Sequence, residues 1–219
     1  MIRSPHVPGA SLRTSDLVAL RETAREHFHP WQSRDWPGVV LVADFRPSML
    51  SGQLRAFRSV AAAEALALIG WRVVQDGGWV ALLALGASAP VVVPAGRGQP
   101  GMREIVTGLV AAHETAEAMA LAGCFDDPPL VPGLGALEAL ALPGAALVIA
   151  SGFEVPGQGL AARVETLSRA HLLRLLHVID GPDGDPHPAC GLLTLDANLP
   201  PEQAAPYLGR ALRRAALSG

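Results

Sequence analysis

Apolar residues fall along this chain in two kinds of run. VVLVADF (39–45), WVALLAL (79–85), AALVIAS (145–151) and LLRLLHVID (172–180) are short and nearly uninterrupted. The first three predict strands buried on both faces, and the fourth predicts a strand. PVVVP (90–94) predicts a short third strand and GLLTL (191–195) an edge strand. Longer stretches lie between them. Residues 54–75 are apolar nearly all round, as in a helix lying on a sheet. Residues 101–121, 133–141, 158–170 and 200–217 predict further helices, the last opening on proline, which suits a first turn. Near the start, Ser15–His27 places Leu17, Leu20 and Ala24 at helical spacing behind a Ser or Thr before Asp16, the pattern of a capped amphipathic helix.

Strands alternating with helices predict an α/β fold: a doubly wound, mostly parallel sheet flanked by helices, with right-handed crossovers. Pro and Gly break HPWQSRDWPG (29–38) into an irregular linker. Residues 1–36 therefore read as an N-terminal helix and linker, and 37–219 as the domain. In a parallel sheet the ligand edge lies at the carboxyl ends of the strands. Attention falls on the residues after 44, 85, 93, 150 and 179.

Composition narrows the classes. Half of the 219 residues are hydrophobic, 17% are charged and the net charge is -3, so neither disorder nor a bulk attraction to nucleic acid is expected. All 17 basic residues are arginine. The uncharged run 77–96 is about long enough to span a bilayer, but Pro90, Pro94 and its glycines favour strand, turn and strand. MIRSPHVPGAS lacks the apolar core of a secretory signal, and the two cysteines, Cys124 and Cys190, have no metal-ligand spacing. A reduced, cytoplasmic setting with buried or incidental thiols is the expectation.

The most informative segment follows the first strand: Asp44-Phe45-Arg46-Pro47-Ser48. An Asp ending a central strand faces the ligand edge, and Ser48 lies four residues on. This resembles the D-x-S-x-S loop of von Willebrand factor A domains, where such residues surround a divalent cation of the magnesium type. The stretch DFRPSMLSGQLRAFRSVAAAEALALIGWRVVQDGGWVALLAL is similar to its counterpart in the bacterial domain-of-unknown-function 58 family. So are GASLRTSDLVALRETA, LVIASGFE and LSRAHLLRLLHVIDGPDGDPHPACGLLTL, which together cover most of residues 9–195 in the family's order. The resemblance implies a von Willebrand A-like fold and work beside a MoxR-type AAA+ ATPase.

The chain departs from that pattern. Arg46 stands at the first serine position of the loop. Gly152 stands where the family's fourth-strand motif has Asp, and no Thr occurs in PAGRGQPG (94–101). The basic, Pro- and Asp-rich family signature ahead of the first strand is missing from the 28–38 linker. A cation would keep only Asp44 and Ser48 as matched ligands. Arg46 would oppose it: unit charges about 4 Å apart repel by roughly 4 kcal/mol at an effective dielectric near 20, and a divalent ion by about twice that. The metal site therefore reads as degenerate, with no cofactor expected and magnesium disfavoured. The Arg46 guanidinium is the candidate to fill the cation's place on Asp44. If it points instead to solvent, Asp44 only caps the turn. Arg97, placed after the third strand, is expected on the same edge, either making with Arg46 a positive mouth for an acidic partner group or standing as an ordinary solvated arginine. Asp44, Arg46, Ser48, Arg97 and Ser151 are the candidate binding residues.

Weaker signals point elsewhere. GQGLAA (157–162) fits a dinucleotide fingerprint but does not directly follow a strand. His113-Glu114 lacks the second histidine of a zinc protease and reads as an exposed helix face; His27 and His29 read as surface residues. His171 and His177 read as packing residues beside a strand, and Asp180, Asp183 and Asp185 as turn formers. Glu64 interrupts an apolar helix and calls for an arginine partner. The expected function is a non-enzymatic protein-binding module, an adaptor beside a MoxR-type ATPase or its client. The competing expectation is a small α/β hydrolase or nucleotide-binding protein, which would need a histidine beside Ser48. A third is a module acting through its surface alone.

Overall fold

The computed structural model describes residues 11–28, 37–52, 54–140, 144–181 and 192–214. Trp31 and Trp36, most of the 29–38 linker, Asp183, Asp185 and Cys190 lie outside them. Six strands form one sheet: β1 (Gly38–Asp44), β2 (Trp79–Leu85), β3 (Val91–Arg97), β4 (Ala146–Ser151), β5 (Leu172–Ile179) and β6 (Leu192–Asp196). Their order is β3-β2-β1-β4-β5-β6. Five run parallel, and β3 pairs antiparallel with β2. The fold is α/β with a mostly parallel, helix-flanked sheet, consistent with a Rossmann-like architecture. β1, β2 and β4 are buried along their whole length, as their unbroken apolar runs require.

The helices are α1 (Thr14–His27), α2 (Arg58–Gln75), α3 (Gly98–Leu121), α4 (Leu130–Gly133), α5 (Leu137–Leu140), α6 (Leu160–Ala170) and α7 (Pro201–Arg214). Val39, Leu41, Val80 and Leu82 face one core with α1, α2, α3 and α7. Val40, Val42, Leu83, Leu147 and Ile149 face a second, thinner core closed by α4, α5 and α6. The alternation along each strand places successive residues in the two cores.

Four expectations need correction. β3 runs to Arg97 and is antiparallel, so its end lies beside the start of β2, with Arg97 opposite Trp79. α2 begins at Arg58 instead of residue 54. The Arg58 N–H closes a loop onto the Ser51 carbonyl (2.9 Å), and Leu54 projects into solvent. In place of the one helix expected over 133–141, residues 130–140 form short turns of helix. α1 packs on the domain, with Leu12, Leu17, Leu20, Ala24 and Phe28 in the main core. The Trp71 indole N–H donates to the Leu17 carbonyl (2.8 Å), fastening α1 to α2. The side-chain cap expected for α1 is not formed; Arg13 holds the cap position and pairs with Asp16.

Candidate functional site: a guanidinium on the sheet edge

Asp44 is the last residue of β1, and Ser151 ends neighbouring β4. Both are buried. Directly after Asp44 the chain turns through Phe45 and Arg46 into a single turn of 3-10 helix, Pro47–Leu50, with proline at its start. That turn folds Arg46 back over the strand end. Its Nε donates to Asp44 Oδ1 (2.9 Å) and its Nη2 to Asp44 Oδ2 (2.8 Å). This is the bidentate fork that a guanidinium makes with a carboxylate. The Arg46 backbone N–H adds a third bond to Oδ1 (3.0 Å), and Ser151 Oγ donates a fourth to Oδ2 (2.6 Å). An ionised carboxylate offers about four lone-pair sites, so Asp44 is saturated.

The other side of the guanidinium is equally committed. Nη1 donates to the carbonyls of Pro128 (2.7 Å) and Val155 (2.8 Å), on the loops after α3 and after β4. Arg46 is 1% exposed. Burial opposes its charge, but the hydrogen bonds and field of Asp44, with smaller help from Asp127 and Glu154, outweigh that and raise its pKa above the ordinary arginine value. The residues present do not fit a divalent ion. Every Asp44 oxygen is taken, and the occupant is itself cationic.

Ser48 lies at the same edge, but it does not reach Asp44. Its backbone N–H donates to Asp127 Oδ1 (2.9 Å), while Ser48 Oγ and Asp127 Oδ2 are buried with no hydrogen-bond partner among the described residues. Asp127 is a site residue that the sequence reading missed. It lies 79 positions from Ser48 in a stretch, CFDDPP, whose composition suggests only a loop. The position of the missing family Asp is also filled. A side chain at Gly152 would collide with the Glu154 carboxylate and the Arg58 guanidinium. These two form an ion pair, and Arg58 also donates to the Ser48 carbonyl (2.6 Å) and Ser51 Oγ (2.9 Å). Phe153, between Gly152 and Glu154, takes a left-handed φ of 56°, held by its N–H to Ser151 Oγ (2.9 Å) and by a buried ring.

Arg97 is not part of this site. Because β3 is antiparallel, Arg97 lies at the opposite sheet edge and donates to the Gly77 carbonyl (2.7 Å). Of the two readings of Arg97, a positive mouth shared with Arg46 does not form, because one arginine is buried and the other lies elsewhere. His113 is likewise no exposed helix residue. It is 1% exposed, between Phe45 and Phe57, with Ser59 Oγ at 3.4 Å and Glu117 at 3.5 Å. Ser59 is fully buried too. Glu64 finds its arginine in Arg55, through bonds of 3.0 and 2.7 Å. His171 bonds the Ala145 carbonyl, and His177 packs against Phe153. Cys124 is an exposed free thiol, which removes the buried reading for it and leaves the incidental one.

The sequence matches no family model and no curated protein. No helix among the described residues is long and apolar enough to cross a membrane.

Proposed function

We propose that the protein is a non-enzymatic binding module with a von Willebrand A-like scaffold, working in the cytoplasm as an adaptor beside a MoxR-type AAA+ ATPase or its client. The family and the partner rest on the resemblance of residues 9–195. The observation that carries the reading is the Arg46 guanidinium on Asp44. It takes the seat that a cation holds in the resembled family and ties the loops after β1, α3 and β4 into one rigid rim. A rim fixed by an internal ion pair presents a constant docking surface and needs no metal to hold its shape. Arg46 is a structural keystone in this reading; buried as it is, it offers no group to a partner. Contact falls to the loops around it.

A hydrolase is the less supported alternative. Ser151 Oγ is spent on Asp44 and on the Phe153 N–H, and Ser48 Oγ bonds no histidine. The test is affinity capture on the purified full chain, using the MoxR-type ATPase of the native host as the defined prey. Recovery of the ATPase that is unchanged by EDTA and lost with Phe125→Ser on the rim supports the proposal. Failure to recover it, or release of the ATPase by EDTA, overturns it.

A further inference from the structure

The chemistry of the rim indicates what kind of partner it takes. Three ion pairs there cancel internally: Asp44–Arg46, Glu154–Arg58 and Glu64–Arg55. Among the described residues Asp126 and Asp127 have no ion-pair partner. They sit together on the loop that crosses the carboxyl edge, where the Asp127 carboxylate receives the Ser48 N–H and the Pro128 carbonyl receives Arg46. Asp126 is exposed on this edge. Arg46, Arg55 and Arg58, the arginines described beside it, are all engaged with carboxylates, so none of them is left to pair with it.

Apolar side chains collect at the same edge. α3 starts beside the end of β3, at the opposite edge, and therefore ends at this one, followed by Phe125. Leu121 and Phe125 are 91% and 60% exposed. Leu54, Val155 and Leu199, on the loops after β1, β4 and β6, are exposed too. Among the described residues these five belong to a set of eight exposed large apolar side chains, so exposure is concentrated on one edge. Exposed apolar groups gathered on one surface mark contact sites. The remaining charge selects the partner: unpaired carboxylates repel acidic segments and nucleic acid and attract cations.

We infer that the carboxyl edge docks a protein segment of mixed basic and apolar residues, with an arginine or lysine reaching exposed Asp126 in the field of Asp127 while adjoining apolar side chains cover Phe125 and Leu121. This rests on the reading of that edge as a docking face and reverses the acidic partner that Arg46 first suggested. The test is fluorescence anisotropy on the full chain, with a labelled decapeptide of alternating Arg and Leu and a second with Glu in place of Arg. The basic peptide should bind at least tenfold tighter. Asp126→Asn/Asp127→Asn should weaken it about tenfold, as should Phe125→Ser, while Arg97→Ala on the far edge should leave it unchanged. Melting curves confirm that each variant is folded, and Asp126→Asn alone serves if the double variant is not. Equal affinity for the two peptides, or no effect of the aspartate substitutions, overturns the inference. So does binding that spermine abolishes and Phe125→Ser leaves intact, which would be charge attraction alone. Preference for the acidic peptide with sensitivity to Phe125→Ser would refute the partner's charge and spare the docking edge. Insensitivity of both peptides to Phe125→Ser would refute both.

Discussion

The pairing of Asp44 with Arg46 is a matter of two residues and one turn. Both side chains are about 1% exposed, so neither charge has water to fall back on. Removing one partner of a buried pair typically costs about 3–5 kcal/mol, because the survivor is left charged and dry. Arg46→Met should therefore lower unfolding stability in urea by that amount. Adding Asp44→Asn should restore part of the loss, since the stranded carboxylate is gone. If the double variant is as unstable as the two single losses combined, the pair is not coupled. The sequence placed the two residues close, two apart around a turn begun by Pro47, but left open whether Arg46 turns onto Asp44 or into solvent. Asp127 was not legible, since nothing near it in sequence records that its loop lands on Ser48. Arg97 was misplaced for a different reason. An apolar run identifies a strand but carries no sign of its direction, and direction alone decides which sheet edge receives the residue at its end.

At the scale of elements, the unbroken apolar runs located β1, β2 and β4 within a residue, because a strand buried on both faces has little room for polar positions, and the run 172–180 located half-buried β5 as closely. Boundaries fixed by tertiary contacts were less readable. α2 looks helical from residue 54, yet Arg55 is drawn off to Glu64, the Ala197 carbonyl and Asn198, which ties the loop after β1 to α2 and to the loop before α7. Glu64 has a pH signature. Burial raises its pKa above the ordinary 4.5, against the lowering pull of Arg55, and Glu202 and Asp16 add to the rise. The folded chain thus holds this proton to higher pH than the unfolded chain does. Stability from Glu64 is full below the unfolded value and is lost as pH rises through the folded one. Glu64→Gln should flatten this part of the stability profile in urea titrations at pH 4 to 7. A slope that is unchanged in the variant would show that Glu64 titrates normally.

At the scale of the whole molecule, the change in composition near residue 36 suggested a boundary, but the core continues across it. Composition reports where a linker lies and says little about what the segment before it covers. α1 fills the groove between α2 and α7, and Gly209 of α7 leaves no space for a side chain against the backbone of His27 and Phe28. Leu12, Leu17, Leu20 and Phe28 are each less than a tenth exposed. Burying four such side chains contributes on the order of 6–12 kcal/mol, comparable with the roughly 5–15 kcal/mol by which a domain of this size is stable. Deleting residues 1–28 should therefore abolish cooperative thermal unfolding, as followed by circular dichroism, and not merely lower the midpoint. The milder Leu17→Ala should cost about 2–5 kcal/mol in the intact chain, as expected for a leucine with no solvent contact. A truncated chain that still melts sharply near the full-length temperature would mean that α1 rests on a core already complete. Trp71 and the α2 face beneath it would then have to tolerate water, which their burial argues against.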